Sequence, residues 1–265
     1  MEQNALRVGL IGYGTIGQEV ARLVREHAAG EIALVGALVR HPAYVRLPGP
    51  TIVTTRSALL AERPQVVVEA AGHEGLREHG PAILRAGIDL LLVSTGALAE
   101  PAFLSELLDA ARVGGAHARV VSGAVGALDA LAAASVGGSI TRVTHTMRRP
   151  PRSLLAAEEA AKLTTVSEVF RGTARQAVLR FPEFLNVAAA VALASNGLDQ
   201  TEVLVLADPT IERSTHEIQA EGAFGVFRFE IENVPLSTNS GTGTRLVALS
   251  LVRALLSRRA VLVIG

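Results

Sequence analysis

Apolar residues fall along this chain in two rhythms, and the switching between them gives the first reading of its fold. Short apolar runs at 6–11, 32–39, 65–70, 88–93 and 117–121 have the length of buried strands. Between them, over 15–28, 74–86 and 101–113, apolar residues recur at spacings of three and four. Ile16, Val20, Leu23 and Val24 are one such set, and the spacing predicts helices that each bury a single face. Strand and helix alternating with short connections predict a doubly wound parallel sheet, because every parallel crossover needs an element to carry the chain back.

After about residue 123 the pattern changes. A helix over 125–136 leads into β-type segments at 139–147, 164–171, 201–207 and 224–233, with helices at 174–180 and 183–195. These predict an open mixed sheet with helices on one side, a second and smaller α+β domain spanning 124–241. The last amphipathic stretch, 244–256 with Leu246, Leu249 and Leu256, is expected to form a helix within 242–258 that returns to the first domain, 1–123.

The first strand runs directly into Gly12-Tyr13-Gly14-Thr15-Ile16-Gly17, and a helical pattern starts inside that string. Strand, glycine loop and helix in this order are what a dinucleotide diphosphate needs. Gly12 permits the tight turn, Gly14 lets the backbone approach the phosphates, and Gly17 allows close packing of the helix. Thr15 and Ile16 open the helix, whose N–H groups and dipole face the anion. The fold class expected is therefore α/β, a Rossmann-type doubly wound parallel sheet with a smaller α+β substrate domain. Ligands on such sheets sit beyond the carboxyl ends of the strands. The segments there are small or glycine-containing: Ala70-Ala71-Gly72-His73, Ser94-Thr95-Gly96-Ala97 and Ser122-Gly123-Ala124. Gly72 joins the glycine loop as a cofactor contact. The second strand ends Leu38-Val39-Arg40-His41, without the acid that usually accepts the ribose hydroxyls, so Arg40 either meets the 2′-phosphate of NADP or is a solvated surface charge.

Composition then narrows the function classes. Lys plus Arg and Asp plus Glu are equal at 25 each, so no global charge draws the chain to nucleic acid or to an anionic membrane. The absence of cysteine excludes disulfides, a cysteine nucleophile and thiolate metal sites. No metal site is expected, since His216-Glu217 lacks a second histidine four residues on, and His73 and His79 stand six apart. There is no GxSxG elbow and no GxxxxGK[ST] loop. No leader and no membrane span are visible, and a cytoplasmic protein is expected. The Ala-, Val- and Leu-dominated 49% hydrophobic content suits strands covered on both faces.

Longer strings add a resemblance. Glu69-Ala70-Ala71-Gly72-His73 is followed by Glu78-His79-Gly80-Pro81 and Val93-Ser94-Thr95-Gly96-Ala97-Leu98. Then come Ser122-Gly123-Ala124-Val125-Gly126-Ala127-Leu128-Asp129 and Phe181-Pro182 with Asn186-Val187-Ala188-Ala189. Asp208-Pro209, His216-Glu217-Ile218 and Gly222-Ala223-Phe224-Gly225 complete the set. In this order, over nearly the whole chain, they resemble the L-aspartate dehydrogenase family. The resemblance implies oxidative deamination of L-aspartate with NAD or NADP, giving iminoaspartate, which hydrolyses to oxaloacetate and ammonia or feeds NAD biosynthesis. It also implies His216 as the catalytic histidine, and Ala124 and Asn186 as cofactor contacts beside the nicotinamide.

The residue types fit that chemistry. Imidazole titrates near neutrality, so His216 suits a general acid/base; it is expected near the start of a helix in the second domain. Asn186, in an Ala/Val-rich helix over 184–195, reads as a buried amide in search of a partner. A dicarboxylate needs cations or N–H groups, for which Arg149, Arg171 and the backbone around Gly172 or Gly241 are candidates. The chain also departs from the family. Asn239-Ser240-Gly241-Thr242-Gly243-Thr244 stands where the family commonly has Asn-Pro-Lys-Thr-Ser, Arg213-Ser214 stands for Arg-Asn, and a tryptophan near 154 is missing. Two alternatives stay open at this level: a related oxidoreductase acting on another amino acid or imine, and a regulator that binds NAD(P) without turnover. A homodimer is expected, because an exposed mixed sheet often pairs across a two-fold axis.

Overall fold

The computed structural model describes residues 5–41, 49–236 and 243–264. In chain order, the first part holds β1 (Leu6–Ile11), α1 (Thr15–His27), β2 (Ile32–Leu38), β3 (Thr51–Val53) and α2 (Arg56–Ala61). It continues with β4 (Val66–Glu69), α3 (Gly72–Arg85), β5 (Asp89–Leu92), α4 (Pro101–Gly114) and β6 (Ala118–Val120). Next come α5 (Leu128–Ser135), β7 (Ile140–Arg149), α6 (Ala157–Lys162), β8 (Ser167–Thr173), α7 (Ala174–Arg180) and α8 (Asn186–Leu193). The chain ends with β9 (Glu202–Ala207), β10 (Thr215–Gly222), β11 (Gly225–Glu232) and α9 (Arg245–Ser257). Contacts divide it into two units. One takes the chain up to Gly123 together with the part from Arg245 onward, and the other takes Ala124–Thr244.

In the first unit six strands lie in the order β3-β2-β1-β4-β5-β6, and every neighbouring pair is parallel. The strand order reverses between β1 and β4, which makes the carboxyl ends of these two strands the switch point where such sheets bind ligands. Val8, Leu10, Val66, Val68 and Leu91 fill one face of the sheet together with Val20, Leu23 and Val24 of α1. Helix α9 joins this core. Its buried face is Val247, Ala248, Leu251, Val252, Ala254 and Leu255, and full burial of Leu251 and Leu255 is worth about 1.5–3 kcal/mol each. The apolar stripe is therefore shifted from the one expected. Leu249 is 41% exposed, because a 3.6-residue period that buries 247, 248, 251 and 255 turns 249 outward. Strand β3 and helix α2 are too short for any periodicity to announce them. Thr55 starts α2 by accepting the N–H of Ala58 at 3.2 Å.

The second unit holds a five-stranded sheet in the order β11-β10-β7-β9-β8. Strands β7 and β9 run parallel, while the other neighbours are antiparallel. The middle strands alternate cleanly. Val143, His145 and Met147 of β7, Val203, Val205 and Ala207 of β9, and His216, Ile218 and Ala220 of β10 are all buried. Helix α7 starts on a capping box, in which Thr173 and Gln176 each bond the other's backbone N–H.

Strand β10 corrects an expectation: His216 lies within a strand and not at a helix start. The string Thr215-His216-Glu217-Ile218-Gln219-Ala220 has period two, yet its inward positions are a histidine, an isoleucine and an alanine among polar residues. So weak an apolar signal is outweighed by two antiparallel ladders, to β7 and to β11, that claim the whole segment. No helix among the described residues is long and apolar enough to cross a membrane.

Candidate active site

The glycine loop leaves β1 at the switch point, and its three glycines do three different jobs. Gly12 has φ +91°, and a Cβ there would stand 2.5 Å from the Ala70 carbonyl oxygen and 2.9 Å from Ala71 Cα. Gly17 is equally crowded, its absent Cβ pointing onto the Gly12 carbonyl oxygen. Around Gly14 the space is open, with nothing within 4 Å of where a Cβ would be. Gly14 is also the N-cap of α1, and having no side chain it leaves the first-turn amides of Thr15, Ile16 and Gly17 without a side-chain cap. An exposed Gly14 and Thr15, an open approach and an uncapped helix start fit a diphosphate.

The neighbouring strand end is fixed by a buried carboxylate. Glu69 closes β4 fully buried; it accepts the Ala71 N–H at 2.8 Å, the Ser94 N–H at 3.2 Å and the Ser94 hydroxyl at 2.8 Å. Burial pushes this carboxyl above its ordinary value, and the Ser94 and backbone donors pull it back. The brace ties the loop after β4 to the loop after β5, and it holds Ala70 and Ala71 where they press on Gly12. Gly72, with φ +85° and open space over it, follows at the first turn of α3. Arg40, just beyond β2, is exposed and lies 3.8 Å from the Glu74 carboxylate, a loose pair that leaves its guanidinium reachable.

In the second unit the register of β7 and β10 builds a different cluster. His216 stands opposite Met147, and Ile218 opposite His145. Side chains alternate in facing along a strand, so His145, Met147 and Arg149 share one face of β7 and His216 meets them there. His145 and Arg149 therefore flank His216 on either side of Met147. His145 Nε2 lies 3.0 Å from His216 Nδ1, and the nearly parallel rings have centroids 5.3 Å apart. Burial decreases along the row: His145 is completely enclosed, His216 is 6% exposed and Arg149 is half-buried. Enclosure holds His145 well below the usual histidine range, with His216 beside it adding to the effect. Burial, reinforced by the Arg149 charge, lowers His216 to about 4. Both rings are neutral at pH 7.

Arg149 is the candidate cation that this geometry favours. Its guanidinium stacks 4.7 Å over the Phe184 ring, and its Nε donates to Ser153 Oγ at 3.1 Å. No acidic side chain among the described residues pairs with it, and burial lowers its pKa. Arg148, one residue earlier and on the opposite face, pairs with Asp208 at 3.5 Å.

Other expectations fare differently. Arg171 is exposed and committed to Glu202 at 2.7 Å and Glu168 at 2.8 Å, so it belongs to a surface ion-pair row. The space over Gly172 is taken by Gln176 Oε1 and Phe170 Cζ, 2.6 and 2.8 Å from where a Cβ would stand. Asn186 is not a buried amide inside a helix: it is half-buried and is the first residue of α8, three positions after the expected start. The sequence 183–185 lacks a capping residue, and the run of alanines after Asn186 sets the helix instead. Ala124 is buried, and its carbonyl accepts the buried Asn233 side-chain N–H at 3.1 Å. Asn239, Ser240, Gly241 and Thr242 lie outside the described residues. His145 was missed. The signal was present in Val143-Thr144-His145-Thr146-Met147, where strict alternation sets a histidine at an apolar position.

Comparison with known proteins agrees along the whole chain. The family model "Homoserine dehydrogenase, NAD binding domain" matches residues 12–121, and "Aspartate dehydrogenase, C-terminal" matches residues 129–258. The L-aspartate dehydrogenase of Ruegeria pomeroyi is 44% identical, over 98% of this chain and 94% of the relative. That of Ralstonia nicotianae is 42% identical, over 96% and 97% respectively. Among solved structures, aspartate dehydrogenase from Thermotoga maritima aligns with a TM-score of 0.81 at 25% identity, covering 98% of this chain and 99% of that one.

Proposed function

This chain belongs to the L-aspartate dehydrogenase family, and on that premise we propose that it oxidises L-aspartate to iminoaspartate, with His216 moving the proton and Arg149 holding a substrate carboxylate. The enzyme is NAD(P)-dependent. Gly12, Gly14, Thr15, Ile16 and Gly17 would hold the diphosphate, Gly72 would lie beside it, and Arg40 would reach a 2′-phosphate when NADP is used. By family resemblance Ala124 and Asn186 would contact the nicotinamide end. When bound, that group supplies an acceptor for the hydride that leaves C2 of aspartate.

The observation that carries the substrate reading is a half-buried guanidinium, without an acidic partner among the described residues, flanking a neutral imidazole. A desolvated cation is costly unless an anion joins it, and a carboxylate matches the guanidinium fork. The proton chemistry follows from the neighbour. Turning the C–N single bond into an imine removes one proton from nitrogen, and His216, neutral at pH 7, accepts it. Once it has released that proton, the same imidazole can take one from the water that adds to the imine and return it to nitrogen, so that the C–N bond breaks to give oxaloacetate and ammonia.

Arg149→Met keeps the apolar stem against Phe184 and removes the charge. It is expected to raise the KM for aspartate about 10- to 100-fold, the worth of a charge-assisted hydrogen bond, without changing the Kd for the cofactor. The acid limb of kcat/KM should also move upward, since a positive charge beside His216 is gone. Steady-state kinetics with pH profiles check both. An unchanged KM would remove Arg149 from the substrate site.

A further inference from the structure

We propose that His145 is a positioning residue for this reaction: its Nε2 accepts the Nδ1–H of His216 and thereby keeps His216 Nε2 bare, as the atom that takes the proton. The inference rests on the reading of His216 as the base and adds to it the partner that sets its tautomer.

A single hydrogen occupies the 3.0 Å gap between His145 Nε2 and His216 Nδ1, so the neutral pair has two arrangements. If His145 Nε2 carries the hydrogen, His216 must carry its own on Nε2, and that nitrogen has no lone pair to offer. If His216 Nδ1 carries it, Nε2 is bare and can act as a base. Which ring nitrogen is protonated follows from the bond the other nitrogen makes, and here the partner is His145. Only the second arrangement gives His216 the lone pair that a base needs, and in either arrangement His145 Nδ1 is buried with no hydrogen-bond partner among the described residues. The inner end of the pair is therefore closed, and protons enter and leave only at His216 Nε2.

The fold holds His145 firmly for this task. Its position on β7 is fixed by ladders on both sides, opposite Ile218 of β10 and Val203 of β9, and its side chain is wholly enclosed. The groups that act electrostatically on the pair are Arg149 and the two imidazoles themselves. A carboxylate in place of His145 would orient His216 equally well but would favour its charged form. A neutral acceptor orients the ring without adding charge, which leaves His216 ready to receive a proton.

Two variants and one spectrum test the proposal. His145→Leu is expected to lower kcat about 10- to 100-fold, with the KM for aspartate and the cofactor Kd within about twofold of the parent. His145→Gln, which can place an acceptor oxygen near the position of Nε2, should recover most of the loss. In a His216→Ala background, His145→Leu should have no further effect on the residual rate, because its contribution passes through His216. Long-range 1H–15N spectra of histidine-labelled parent protein at pH 7–8 should show His216 protonated at Nδ1. His145→Leu with parental kcat, an equal loss in both backgrounds, or His216 protonated at Nε2 would each overturn the proposal. The spectrum needs no turnover, so it decides the tautomer even if the parent fails to oxidise aspartate, a result that would instead sink the proposed function.

Discussion

Replacing His216 with alanine is expected to lower kcat for aspartate oxidation by about 10²- to 10⁴-fold while leaving the Kd for NAD(P) within about twofold. Its nearest partner, His145, is completely enclosed and its other flank is a cation, so neither neighbour is placed to take over as base. The pH dependence has a definite sign. Burial, and then Arg149, lower the folded-state pKa of His216 to about 4. It is therefore neutral and competent above that value and protonated below it. The acid limb of kcat/KM, which reports the free enzyme, should fall near pH 4 and not near the 6.5 of an ordinary histidine. A substrate carboxylate neutralising Arg149 would raise the value, so the limb in kcat should lie at higher pH. An alanine variant that turns over at the parental rate would show that the proton leaves by another route.

Gly12→Ala should abolish cofactor binding and destabilise the first unit as well. The added methyl group would stand 2.5 Å from the Ala70 carbonyl oxygen, at a backbone φ of +91° that alanine rarely adopts. The obstacle is not free to move: Ala70 donates to the Ile11 carbonyl at 2.8 Å, and Ala71 is bonded to buried Glu69. Strain and overpacking each cost about 1–3 kcal/mol, which lowers Tm by about 5–15 °C. Gly14→Ala serves as the contrast, with φ −80° and open space ahead of it. That variant should keep the parental Tm and lose NAD(P) affinity, because its methyl group projects into the space read as the phosphate approach. Thermal unfolding and cofactor titration separate the two, and equal Tm losses in both would remove the distinction between turn glycine and approach glycine.

How far the sequence could be read depended on how many residues each signal spanned. The elements β1 and α7 have the bounds that periodicity and flanking residues predict, and the glycine loop follows β1 directly. These are elements in which local preference and packing agree. Strand β10 was hidden because its inward row is His216, Ile218 and Ala220, too little apolar surface to reveal a period of two. What defines it is pairing with two distant strands. The same cause hid the His145–His216 pair. Its members are 71 residues apart and meet only through that register, which local pattern does not carry. Arg149 and Arg171 looked alike as lone arginines near turns. Only the positions of Glu168 and Glu202 show that one is already paired, while Arg149 has no acidic partner among the described residues.

The most direct measurement of the central claim is amination of oxaloacetate by the purified chain, followed as loss of reduced nicotinamide absorbance with NADH and NADPH in separate runs. Rapid loss that requires both ammonia and the four-carbon keto acid is the expected result, and the preferred cofactor then shows whether Arg40 meets a 2′-phosphate. A protein that binds the cofactor yet consumes neither NADH nor NADPH under these conditions would contradict the account.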